Sequence, residues 1–125
     1  MCLEPEATAK ELDIRDWLLS DLAEEDLIVL SGDGAIQGAY PFTTARTPHR
    51  VTVRGNTVNA MCALDALAVA PMFITEAVVD SVCELTGTLL HVEQSSSEWV
   101  AATPTPSIHV GIQWEETGGA AAHSL

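Results

Sequence analysis

Basic residues are scarce in this 125-residue chain: five Lys and Arg stand against 18 Asp and Glu, a formal net charge of −13. Neutralising phosphates along a nucleic acid needs a surplus of cations on the contact face, so nucleic acid is excluded as a general partner. Long apolar runs are also missing. No stretch approaches the ~18 consecutive apolar residues of a membrane span, because Asp, Glu, Gln, Asn or Arg interrupts each candidate, and a soluble protein is expected. Cysteine is limited to Cys2, Cys62 and Cys83, an odd set without a CxxC pair, which excludes a disulfide framework and suits a reducing compartment. The N-terminus carries Glu4 and Glu6 where a secretory signal carries Lys or Arg, and no apolar core follows, so the expected location is cytoplasmic. There is no P-loop, no GxGxxG, no GxSxG elbow and no internal repeat. His49, His91, His109 and His123 lack the HxH or HxxH spacing of a zinc site, and no cofactor is expected.

What remains is the composition of one globular domain, 47% hydrophobic and 18% charged despite only 5% aromatic residues. Its charge is uneven. Residues 1–33 hold ten acids and two bases, whereas 34–64 hold Arg46, Arg50 and Arg54 and no acid. Ile14, Trp17, Leu18 and Leu22 recur at helical steps, so an amphipathic helix is predicted from Glu11 to Leu22. Leu27–Leu30 and Ala35–Phe42 flank Ser31-Gly32-Asp33-Gly34 and read as a hairpin. A helix followed by a hairpin is half of a winged-helix unit, but three arginines beside an acidic helix make a solvated, partly paired surface rather than a DNA-reading face.

Further on, Arg50–Arg54 alternates as a strand and Gly55-Asn56 signals a turn. The Ala-, Leu- and Met-rich run to Val69 predicts a helix starting near Thr57–Asn59 and limited by Pro71. Ala77–Cys83 and Thr88–Glu93 form a second predicted hairpin. Ser95 to Glu98 has capping-box spacing, Thr103-Pro104-Thr105-Pro106 ends anything helical, and Ile108–Trp114 alternates as a last strand.

One constellation carries chemistry. In Asn59-Ala60-Met61-Cys62-Ala63-Leu64-Asp65-Ala66-Leu67 a thiol and a carboxyl lie three residues apart on the predicted helix, so both project from one face. A thiolate is a soft donor that favours soft metals, and a carboxyl in a partly apolar pocket can be held protonated and deliver that proton. The bland alternative is a small buried Cys62 beside a solvent-facing Asp65.

From about Leu27 to Trp114 the chain resembles the organomercurial (alkylmercury) lyase family. The resemblance is carried by Cys62-Ala63-Leu64-Asp65 within Asn59–Leu67, then Pro71, Val82-Cys83, Thr86-Gly87, Ser97-Glu98 and the proline-rich link. It implies an α+β fold, with a winged-helix-like helix and hairpin over 1–45 and an antiparallel sheet core over 46–125. The core would include the helix bearing Cys62 and Asp65. It implies protonolysis of a carbon–mercury bond, with Cys62 as mercury ligand, Asp65 as acid and Cys83 as a buried structural thiol. Met61 stands where the family often has an aromatic residue, and as a soft thioether it can line the same pocket. The family's second mercury-binding cysteine has no counterpart before Leu125. That points to an incomplete core, with cellular thiols standing in for the missing ligand, and to an exposed sheet edge that favours a homodimer. The lyase's substrate would be an organomercurial or another soft organometallic, and two alternatives stay open beside it: a non-catalytic soft-metal or ligand-binding remnant of the scaffold, and a small acidic interaction domain.

Overall fold

A computed structural model describes residues 16–111. The chain runs through α1 (Asp16–Glu24), β1 (Ile28–Leu30), β2 (Ile36–Ala39), β3 (Phe42–Thr43), β4 (Arg50–Val53), β5 (Asn56–Ala60), α2 (Ala63–Phe73), β6 (Glu76–Val82), β7 (Leu89–Ser95) and β8 (Glu98–Thr103). The strands form one eight-stranded sheet in the order β1-β2-β3-β5-β4-β6-β7-β8, antiparallel at every pairing. The class is α+β, as expected. The hairpin of residues 27–42 is present as β1 and β2, and β3 then joins the same sheet by pairing with β5. No helix among the described residues is long and apolar enough to cross a membrane.

The topology turns on α2. Strands β5 and β6 both run antiparallel to β4, which lies between them, so α2 crosses over β4 and packs on one face of the sheet. The core under it is built from small and β-branched side chains: Val51, Ala60, Ala66, Val69, Ala70, Ala77, Val79 and Val92 are buried. All eight are alanine or valine, because the helix lies close to the strands and close packing leaves little room for larger groups. Phe42 adds a stacked contact with Phe73 at the far end of α2, ring centroids 6.0 Å apart.

Several expectations need correction. The helix begins four to six residues later than predicted, because Arg54 and Gly55 both take positive φ (49° and 79°) and close a two-residue hairpin that commits Thr57 and Val58 to β5. Pro71 lies inside α2 rather than before its end. A proline there removes the N–H that would bond to the Leu67 carbonyl four residues back. Gln94, reaching across from β7, donates its Nε2 to that carbonyl at 3.2 Å. The helix ends instead at Ile74, in the left-handed region at φ 48°, where Thr75 N–H bonds to the Ala70 carbonyl and Ile74 N–H to that of Pro71, the two bonds of a Schellman motif.

Ser95 and Glu98 do not cap a helix; they pair across the β7–β8 turn, with Ser96 at φ 52°. Residues 108–111 form no strand, and 112–114 lie outside the described residues. In α1 the buried side chain is Leu19, at 4% exposure, while Leu18 is 38% exposed; the part of that predicted helix before residue 16 lies outside the described residues.

Candidate functional site

The site forms where β5 hands over to α2. Phe42 pairs with Ala60, and Met61 N–H donates to the Pro41 carbonyl at 3.0 Å, so the extended ladder continues one step beyond β5. Cys62 is still extended, at φ −145° and ψ 178°, and is the N-cap of α2. Its carbonyl accepts the first helical bond, from Ala66 N–H at 3.0 Å. Its Sγ accepts from the Asp65 backbone N–H at 3.4 Å, doing with sulfur what a serine oxygen does at most helix starts. Asp65 is thereby fixed in the first turn, where the positive end of the helix dipole favours a carboxylate. Thiol and carboxyl are indeed brought together, through a cap rather than as two positions on one helical face.

Opposed influences act on the Cys62 thiol. Burial is the largest and pushes its pKa above the ordinary thiol value; the Asp65 backbone N–H opposes this, and the Asp65 carboxyl pushes it up again. A helix N-terminus normally lowers a thiol pKa. Here burial and the neighbouring carboxyl win, so the thiol keeps its proton at neutral pH. Asp65 Oδ2 is itself buried and has no hydrogen-bond partner.

Sequence reasoning missed Tyr40. It sits with Pro41 in the turn between β2 and β3, which the bond from Met61 N–H to the Pro41 carbonyl holds beside the start of α2, and its own N–H donates to the Leu27 carbonyl at 3.2 Å. Its hydroxyl is buried and partnerless. Burial raises the phenol pKa, with further contributions from Asp26, Asp65 and Cys62. Only the docking of the β2–β3 turn on Met61 could have revealed it.

Met61 does not share this position. A Cβ added to Gly38 would sit 2.6 Å from Met61 Cε, so the thioether arm packs over β2, which has a glycine where that arm passes. Cys83 is not the buried thiol expected. It follows β6 at the hairpin turn, where its N–H bonds to the Thr88 carbonyl at 2.8 Å and its carbonyl accepts from Gly87 at 2.7 Å. It is partly exposed, and the Thr86 hydroxyl, with the backbone N–H groups of Thr86 and Leu85, pulls its pKa down. Because β4 begins opposite the ends of both β5 and β6, Cys83 lies at the same end of the sheet as Cys62 but two strands across.

Between them His49 pairs its Nδ1 with Ser81 Oγ at 2.8 Å, and burial lowers its pKa. His91 lies elsewhere, among Asp80 (2.7 Å) and Glu93 (3.5 Å) on β6 and β7. His109 is exposed, and Cys2 and His123 lie outside the described residues. Among the described residues no three His, Cys, Asp or Glu side chains gather into a metal-binding group. A hollow of about 320 Å³ lined by Thr52, Arg54, Glu76, Glu93 and Val100, among others, contains none of the site residues.

The family model for alkylmercury lyase, MerB, matches residues 42–125, a span that contains β3 to β8 and the whole Cys62–Asp65 cap. The chain belongs to the alkylmercury lyase family. The crystal structure of the mercury-bound form of MerB2 superimposes with a TM-score of 0.63 at 23% identity, covering 77% of this chain and 48% of that one. That likeness supports the fold, and the chain spans about half the length of that relative. No curated protein matches the chain significantly. Family membership bears on the cap directly, since Cys62, Asp65, Pro71 and Cys83 all fall inside the matched span.

Proposed function

We propose that the chain cleaves the carbon–mercury bond of an organomercurial by protonolysis, with Cys62 as the mercury ligand and Asp65 as the acid. The observation that carries this reading is the sulfur cap: Sγ accepts from Asp65 N–H at 3.4 Å while the carboxyl of the same residue is held, partly bare, beside it. In the first step the Cys62 sulfur bonds to mercury and displaces its anionic ligand, and the thiol proton passes to the Asp65 carboxylate. In the second, Asp65 gives that proton to the carbon, the C–Hg bond breaks, and R–H leaves. Mercury(II) then stays on Cys62 and takes a second soft ligand from a cellular thiol, because one thiolate alone leaves it coordinatively unsatisfied. A thiol that keeps its proton suits this sequence, as the proton needed at carbon is already in the site. The helix and hairpin of the first 45 residues form, in the same reading, a winged-helix-like part ahead of the lyase-like core.

The test uses a Cys2→Ser, Cys83→Ser background in which Cys62 is the one thiol left. Phenylmercury acetate is added, benzene release is followed by gas chromatography, and intact mass reports the adduct. Release that rises with free thiol concentration is expected, and Asp65→Asn should keep the phenylmercury adduct while losing about 10²–10⁴-fold in release, the usual worth of a general acid. Unchanged release in Asp65→Asn removes it from the mechanism. A stable adduct with no release at any thiol concentration favours the second reading, a soft-metal-binding scaffold, which the single thiol at the cap also accommodates.

A further inference from the structure

Two of the buried polar atoms without a partner, the Tyr40 hydroxyl and Asp65 Oδ2, belong to the surroundings of Cys62. The third, Gln94 Oε1, is part of an amide already engaged with Leu67 through Nε2. A native fold leaves few such groups bare, and each asks for an explanation. Tyr40 is held by its backbone on two sides: its N–H binds the Leu27 carbonyl, and the Pro41 carbonyl next to it binds Met61 N–H. Tyr40 and Pro41 make the turn between β2 and β3, and the bond from Met61 N–H to the Pro41 carbonyl sets that turn against the chain just before Cys62, where the phenol feels the charges of Asp65 and Cys62. Packing alone would be served better by phenylalanine, which buries the same ring without a bare hydroxyl.

We propose that Tyr40 is a positioning residue for the Cys62–Asp65 pair: its hydroxyl donates a hydrogen bond to the Asp65 carboxyl, and this bond closes when a soft metal occupies Cys62. The proposal rests on the reading of Asp65 as the acid. The two atoms are not bonded to each other in the structure, and catalytic hydrogen bonds commonly tighten only when substrate binds. Once formed, the bond occupies one carboxyl oxygen and turns the other toward the mercury-bound carbon. The ionisable groups that face the phenol are Asp65 and Cys62 on the α2 side and Asp26 from the α1–β1 connection; all three are acidic, and together with burial they keep the hydroxyl protonated and a donor.

Tyr40 is the only tyrosine in the chain, so protein labelled with [13Cζ]tyrosine gives a single NMR resonance at that ring carbon. In the Cys2→Ser, Cys83→Ser background at pH 7, one equivalent of phenylmercury should move this resonance, and Asp65→Ala should abolish the movement. The amide spectrum of Asp65→Ala checks that the fold persists, and the milder Asp65→Asn, whose carbonyl can still accept, should retain part of the shift. Tyr40→Phe should lower benzene release about five- to twenty-fold through kcat with KM unchanged, since it disturbs acid placement and not metal capture. A resonance indifferent to both mercury and Asp65→Ala overturns the proposal, as does an unchanged kcat in Tyr40→Phe. If the parent chain releases no benzene, the lyase reading falls, and the NMR response alone then decides whether Tyr40 bonds to Asp65.

Discussion

The helix that carries Asp65 depends on a contact from the far side of the core, and a double-mutant cycle can measure it. Pro71 leaves the Leu67 carbonyl without its helical partner, and Gln94 Nε2 fills that role at 3.2 Å. Replacing Gln94 by leucine removes the donor and leaves a partly buried carbonyl bare, a loss of about 1–3 kcal/mol. The same change also removes the bare Gln94 Oε1, which offsets part of the loss, so the single variant should fall by only about 0–2 kcal/mol. Pro71→Ala changes the outcome, because residue 71 then has an N–H for the Leu67 carbonyl. In that background Gln94→Leu should be neutral or stabilising. The coupling between the two positions should therefore be about 1–2 kcal/mol, the difference made by one bare carbonyl. For a domain of this size that corresponds to about 4 °C in Tm per kcal/mol, within reach of calorimetry or urea titration of the four chains. Equal effects of Gln94→Leu in both backgrounds, within about 0.5 kcal/mol, would refute the substitution of a side-chain amide for the missing backbone donor.

Two other predictions concern titrating groups. Because the Thr86 hydroxyl and hairpin N–H groups lower the Cys83 pKa while burial raises that of Cys62, a limiting neutral alkylating reagent at pH 7 should label Cys83 ahead of Cys62 in peptide mapping, and Thr86→Ala should slow it. Preferential labelling of Cys62 would contradict the opposite directions assigned to the two thiols. Histidine NMR should show His49 titrating below pH 6.5, from burial, and His91 above it, from the Asp80 contact, with Asp80→Asn lowering His91. A histidine depressed in the folded state binds its proton better when unfolded, so His49 should cost stability as pH falls below about 6.5. His91 acts in the opposite sense, favouring the fold at low pH and losing that effect as pH rises through its raised pKa, and its exposure keeps the effect small.

Those elements whose signals are local were legible in the sequence. Strands β6 and β7 follow from two β-prone runs around a turn at Gly87, which takes φ 70°, and β4 follows from the alternation of Arg50–Val53. The start of α2 was not legible in the same way. Helix-forming composition extends back to Val58, but the Arg54-Gly55 turn aligns Asn56–Ala60 against β4, and pairing on both edges outweighs propensity. Pro71 was misread because the amide that replaces its N–H comes from Gln94, 27 residues from Leu67. No window on the helix could contain that compensation.

The two capping patterns show why the site was only half visible. Ser95-x-x-Glu98 has the residue types of a capping box and closes a hairpin, whereas Cys62-x-x-Asp65 lacks the usual serine or threonine and is the true helix start. What separates them is the chain around each: β7 and β8 pair on both sides of Ser96, while Cys62 ends a strand whose partner, β3, has run out. The thiol at the cap therefore has two connections. It anchors the first turn of α2 through the Asp65 N–H, and that bond holds the carboxyl within reach of whatever the sulfur takes up. A serine in its place would cap the helix equally well and offer a soft metal nothing, so in the proposed lyase reading the sulfur serves chemistry and not folding.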